Sequence, residues 1–184
     1  MLPALSDKVG SNRQLLVSNK IAPSTLPTGR RQNALLELKR VNAIRVSPAD
    51  KGKKHWSVIE VFMGSSTIPE ELRNDMWARD PTIRVERKML NFVTLRHDVY
   101  YIVREAHLFE HCKFCSGVMD LVVFGANPDG FLVRLIGGKR LARTQAMFVV
   151  GLLTLLVQHL DITTRSCCAA QRIIPRLVHK FLFA

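Results

Sequence analysis

The chain has 184 residues, with 27 Lys and Arg against 15 Asp and Glu for a formal charge of +12, and 47% of it is apolar. That length suits one folded domain plus an extra segment and is short for two, while the apolar share excludes a wholly disordered or fibrous chain. Four cysteines, Cys112, Cys115, Cys167 and Cys168, are too few for a disulfide scaffold, and no charged stretch leads into an apolar one of secretory type.

The charge is uneven: residues 1–54 carry +8, residues 55–110 carry −2 and residues 111–184 carry +6. A near-neutral middle between two basic ends suits a body that meets phosphates or anionic headgroups. From Met1 to about Pro48, Ser, Asn, Pro and Arg predominate, which reads as a flexible basic arm over residues 1–54. Within it only Asn33–Val46 keeps a helical period, through Ala34, Leu35, Leu38, Val41 and Ala43 or Ile44, with Lys39, Arg40 and Arg45 on the polar side. A charged linker, Pro48 to Lys54, closes the arm. The first 36 residues hold one acid, Asp7, as in an organelle transit peptide, but Pro3, Pro23 and Pro27 interrupt the helix such a peptide needs.

Residues 55–184 read as a single domain, strand-rich over 55–137 and helical over 138–184. Short β-branched and aromatic runs predict strands at Trp56–Met63, Thr82–Glu86, Met89–Leu95, Val99–Arg104, Val118–Phe124 and Phe131–Ile136. The last two flank Gly125–Gly130, whose Pro-Asp-Gly is a hairpin turn signal. A helix is expected over Thr67–Trp77, opened by Pro69, Glu70 and Glu71. Lys139–Leu160 reads as a helix buried on most sides, and a last helix starts near Thr163 or Thr164 and is kinked or broken at Pro175. The fold class is therefore α+β: an antiparallel meander with packed helices after the arm.

The cluster His107, His111, Cys112 and Cys115 offers the thiolates and imidazoles that zinc takes in tetrahedral sites, with His55 or His97 as alternative partners. Half-buried reduced cysteines and surface histidines at a strand-to-loop junction are the plainer account of the same residues. Gly137-Gly138-Lys139-Arg140 at a helix start can hold a phosphate, though no P-loop pattern accompanies it. The apolar stretch Ala146–Val157 falls short of the roughly 20 residues that span a bilayer and reads as a core helix. Cys167 and Cys168 are acylation candidates only if they sit on a membrane-facing surface.

No G-x-S-x-G or H-E-x-x-H is present, so the chain reads as a binding or assembly component rather than an enzyme. Aromatics are 7% of residues and no base-stacking run occurs, which favours electrostatic, sequence-tolerant contact with RNA or ribonucleoprotein. Candidate phosphate contacts are Arg30, Arg31, Lys39, Arg40, Lys51, Lys53 and Lys54; candidates for an anionic membrane surface are Lys139, Arg140, Arg143, Arg172, Arg176 and Lys180.

In length, basic arm and sheet-with-helices layout, the chain resembles the matrix proteins of rhabdoviruses. The resemblance implies a virion protein that condenses ribonucleoprotein against the inner face of a host membrane and self-associates through its arm. It extends to no residue; the PPxY and PTAP motifs of some members are lacking, although Pro23-Ser-Thr-Leu-Pro27 lies in the arm. Two other readings stand beside it. One is a mitochondrial or plastid RNA-binding or ribosome-associated protein with a cleaved transit segment; the other is a small zinc-stabilised nucleic-acid-binding accessory protein.

Overall fold

The strongest strand signal, Trp56–Met63, becomes β2, the centre of an antiparallel sheet ordered β1-β2-β3, with β1 at Val41–Pro48 and β3 at Ile83–Lys88. Side chains alternate across a strand, so Ser57, Ile59 and Val61 face one way and Val58, Glu60 and Phe62 the other. Ile59 and Val61 join the helices in the main core. On the opposite face Arg45 bonds Glu60 at 2.6 Å, the register sets Arg84 beside Glu60, and Arg45 and Lys88 lie over the rings of Phe62 and Trp56. The computed structural model describes residues 27–50, 55–64, 80–107, 112–127, 138–161 and 168–184, and over these the protein is α+β, with five helices and this one sheet.

The helices are α1 (Pro27–Lys39), α2 (Met89–Ala106), α3 (Lys113–Phe124), α4 (Gly138–His159) and α5 (Ala169–Phe183). Two expectations are corrected here. Met89–Leu95 and Val99–Arg104 are not strands but one helix, α2, whose buried Phe92, Leu95, Val99 and Val103 recur at three and four residues. Val118–Phe124 is likewise the end of α3, with Phe114, Cys115, Val118 and Val122 inward. Tertiary burial overrides the β propensity of the Val, Ile, Thr and Tyr residues in these runs.

The arm expected over residues 1–54 is corrected from Pro27 onward. Ala34, Leu35 and Leu38 bury α1 against its neighbours, chiefly α5, while the helix expected to run to Val46 ends at Lys39 and the chain re-enters as β1. No boundary falls between 54 and 55, because β1 pairs with β2 along its length. Residues 1–26, the linker residues 51–54, the whole of the helix expected at Thr67–Trp77, the Pro-Asp-Gly turn and the strand Phe131–Ile136 lie outside the described residues.

Helices α3 and α4 approach closely through a reciprocal fit. A Cβ on Gly117 would meet Leu155 at 2.9 Å and one on Gly151 would meet Leu121 at 2.9 Å, so each leucine occupies the space the opposite glycine leaves. Helix α5 runs from Ala169 to Phe183 through Pro175 rather than ending there. Proline has no N–H, which leaves the carbonyl four residues back, that of Gln171, without its helical donor. The Arg31 Nε donates to that oxygen at 3.1 Å, and Nη2 of the same guanidinium donates to the Asp161 carbonyl at 3.1 Å. Arg31 is 4% exposed. The N-terminal helix thereby repairs a defect in the last one, and also binds the segment just after α4.

Candidate metal centre and basic surfaces

Three helix ends converge to bring four donors together. His107 is the extended residue that ends α2, Cys112 is the N-cap of α3, Cys115 stands in the first turn of α3, and Cys168 is the N-cap of α5. The first helical bond of α3, Ser116 N–H to Cys112 O at 2.9 Å, folds the Cys-x-x-Cys into a knuckle. One ligand atom from each of the four residues lies within 4.8 Å of the others, so the cluster can hold a metal ion.

The sulfur spacing fits such an ion. Cys115 Sγ is 3.6 Å and Cys112 Sγ 4.0 Å from Cys168 Sγ. Tetrahedral ligation at a Zn–S distance of about 2.3 Å separates sulfurs by roughly 3.8 Å, between those two values. Cys115 is fully buried and none of the three is in a disulfide. Burial, and then the neighbouring thiols of Cys168 and Cys112, push the Cys115 thiol well above its ordinary value. A divalent cation reverses that balance by favouring thiolates, and the N-termini of α3 and α5 favour the same charge. Around the cluster, Gln171 Nε2 lies 3.7 Å from Cys112 Sγ, and its backbone is the one Arg31 holds.

Of the ligand set read from sequence, His107, Cys112 and Cys115 are together; His111 lies outside the described residues. The alternatives are corrected: His55 sits at the start of β2 in a left-handed conformation (φ 69°), and His97 is exposed on α2 against the edge of Tyr101, so neither is in the cluster. The added donor is Cys168, whose place within the cluster argues against an acylated surface cysteine. Its signal in sequence is slight: like Cys112, it directly precedes a helical run.

The basic residues divide into two kinds. Arg31, expected on a phosphate-binding surface, is corrected to a buried tether, because its guanidinium is spent on carbonyls. Arg87 Nε donates to Phe181 O at 3.0 Å and Arg96 Nη2 to Val122 O at 2.6 Å, so these two close the C-terminal ends of α5 and α3. Desolvation lowers the Arg87 pKa from its ordinary value. Arg30, Arg40, Lys139, Arg140, Arg143, Arg172, Arg176 and Lys180 are exposed and Lys39 half-buried, whereas Lys51, Lys53 and Lys54 lie outside the described residues.

Arg30 on α1 and Arg176 and Lys180 on α5 line one groove of about 510 Å³, with Ala34 and Leu177 also in its wall. Residues assigned from sequence to different partners therefore share a surface. Lys139, Arg140 and Arg143 instead occupy the first two turns of α4. That helix is long and apolar enough to cross a membrane by length and composition, but 44% of its most apolar window is buried in the protein. Its outer side shows Met147, Val150 and Val157. No family model, curated protein or solved structure matches the chain.

Proposed function

We propose that this chain is a small, zinc-clasped, basic RNA-binding protein that works by binding rather than catalysis. The observation that carries the reading is the gathering of His107, Cys112, Cys115 and Cys168 from three helix ends at sulfur spacings that suit one zinc ion. Four protein donors close a tetrahedral shell, whereas a catalytic zinc keeps a position open for water or substrate. The zinc then ties α2, α3 and α5 into a fixed frame. A net charge of +12, with a cationic groove on that frame, supports RNA phosphates as the partner.

The test is metal analysis of protein purified without added metal, followed by RNA binding across a salt series before and after chelation. One zinc per chain and steeply salt-dependent binding that weakens on chelation support the reading. A metal-free protein with full RNA affinity overturns the zinc clasp, and no RNA binding at low salt overturns the function.

One observation favours a second reading, the matrix-like bridge between RNA and membrane. Exposed Met147, Val150 and Val157 on α4 stand beyond Lys139, Arg140 and Arg143, an apolar stripe with a cationic head. Flotation with anionic vesicles in the presence of RNA supports it; flotation abolished by competing RNA overturns it.

A further inference from the structure

The RNA reading leaves open where on this surface the strand lies. We propose that the groove between α1 and α5 is the subsite for single-stranded RNA, with Arg30, Arg176 and Lys180 pairing adjacent phosphates and the wall at Ala34, Ile173 and Leu177 taking the sugar or base. The inference rests on the proposed RNA binding and names its site.

Three features of the groove carry it. The cations come from two helices and face one concavity, so their fields add where a strand would lie. Arg176 and Lys180 are one i,i+4 step apart, about 6 Å along the helix axis, which spaces two charges for successive phosphates rather than for one. Glu37, the one acid in the wall among the described residues, is engaged by His179 Nε2 at 2.6 Å, and that imidazole stacks on Phe183 at 4.7 Å, so the carboxylate is turned to a protein partner.

Size and lining agree. A volume of about 510 Å³ exceeds what one phosphate needs and falls in the range of roughly 300–1,000 Å³ usual for small-molecule clefts. Ile173 is 44% exposed amid the cations, an apolar contact that a phosphate alone does not use and a nucleoside does. A bilayer favours the opposite shape, a flat or convex face such as the outer stripe of α4, and cannot seat its headgroup plane between two helices.

The test uses full-length zinc-loaded protein and a short fluorescein-labelled oligouridylate, with anisotropy read over a salt series. Arg176→Gln with Lys180→Gln is compared with Arg84→Gln with Arg104→Gln, which removes equal charge from exposed positions on β3 and α2. At about 0.7 per phosphate contact on single strands, the groove variant is expected to reduce the log–log salt slope by roughly 1.4 and to bind about tenfold more weakly. The control is expected to stay within about twofold. Tight binding by the unmodified protein with equal losses in both variants overturns the groove while leaving RNA binding in place. No binding by the unmodified protein overturns both. A groove variant that keeps RNA affinity but no longer floats with phosphatidylserine vesicles also overturns the subsite and reassigns its cations to lipid.

Discussion

On α1, Arg30 points into the groove shared with α5, while Arg31, one residue on and about 100° around the helix, is buried on the carbonyls of Gln171 and Asp161. The same division runs along α5. Its N-terminal end is a half-buried junction where Cys168 meets the other donors and Gln171 takes the Arg31 hydrogen bond; farther along, Arg176 and Lys180 are directed to solvent. Two adjacent residues of one type thus do opposite jobs, and net charge overstates how much cationic surface a partner meets. Variants at the junction are expected to change stability, and variants in the groove to change binding alone.

The largest effect is expected at the metal. Cys115→Ser and Cys168→Ser each remove one donor, so each is expected to lose stoichiometric zinc and about 3–5 kcal/mol of stability, roughly 10–15 °C in Tm for a chain of this size. Metal analysis and calorimetry check this. Chelation should bring the unmodified protein down to the melting temperature of Cys168→Ser and leave that variant where it is. If chelation shifts neither protein, the junction is held by packing alone.

Arg31→Ala follows, at about 3 kcal/mol, because it removes a buried guanidinium whose two hydrogen bonds tie α1 to the carbonyls of Gln171 and Asp161. Urea melts provide a sharper form of the test. Pro175→Ala restores an N–H for Gln171 O, so adding it to Arg31→Ala is expected to recover about 1 kcal/mol. Strict additivity of the two changes would mean that Pro175 and Arg31 are not coupled through that oxygen. RNA affinity per folded molecule should be unchanged in Arg31→Ala, in contrast to the groove variants.

What the sequence discloses follows the range of the interactions involved. Trp56–Met63 is legible because a central strand carries its own apolar run, and α4 is legible because its long apolar stretch is local. Met89–Ala106 misleads because Val93, Thr94, Val99, Tyr100 and Ile102 favour strands one by one, while the 3.6-residue period of Phe92, Leu95, Val99 and Val103 runs through both segments. The arm misleads for a different reason: α1 and β1 are short, and each is held by a partner distant in sequence. At the metal site the Cys-x-x-Cys is local and visible. Cys168 is 53 residues beyond Cys115, and only the docking of α5 brings it there. Arg31 shows the same limit, since nothing in Arg30-Arg31 itself says which of the two is buried.

The pH response separates the metal-free junction from the loaded one. Without metal, the fold holds Cys115 protonated beyond the point, near pH 9, where the unfolded thiol ionises. The native state then binds more protons than the unfolded state, so stability falls as pH rises past about 9, by at most about 1.4 kcal/mol per unit for one thiol. With zinc the ligands are thiolates in the native state, and stability falls instead as acid competes for them. Urea melts from neutral to alkaline pH, with chelator or with zinc, should therefore show a decline in the first series and none of that origin in the second. A matching alkaline decline in both would mean that Cys115 is not a ligand.

The smallest effect is expected at the sheet, away from both regions. Ser57 Oγ donates to Gln145 Oε1 at 2.6 Å, joining β2 to α4 between two residues that are 1% and 0% exposed. Splitting this neutral pair by Ser57→Ala leaves a buried amide oxygen unserved and should cost about 1–2 kcal/mol. Replacing both partners, Ser57→Ala with Gln145→Leu, removes the polar atoms together and should return stability to near that of the parent, because an apolar pair of similar shape carries no desolvation debt. The cycle also calibrates the junction: Arg31 serves two carbonyls with a buried cation, so its loss should exceed that of Ser57 in the same urea assay. If the two losses prove equal, the Arg31 guanidinium contributes no more than a neutral donor, and the contrast between the buried Arg31 and the exposed Arg30 on α1 becomes one of packing rather than of charge.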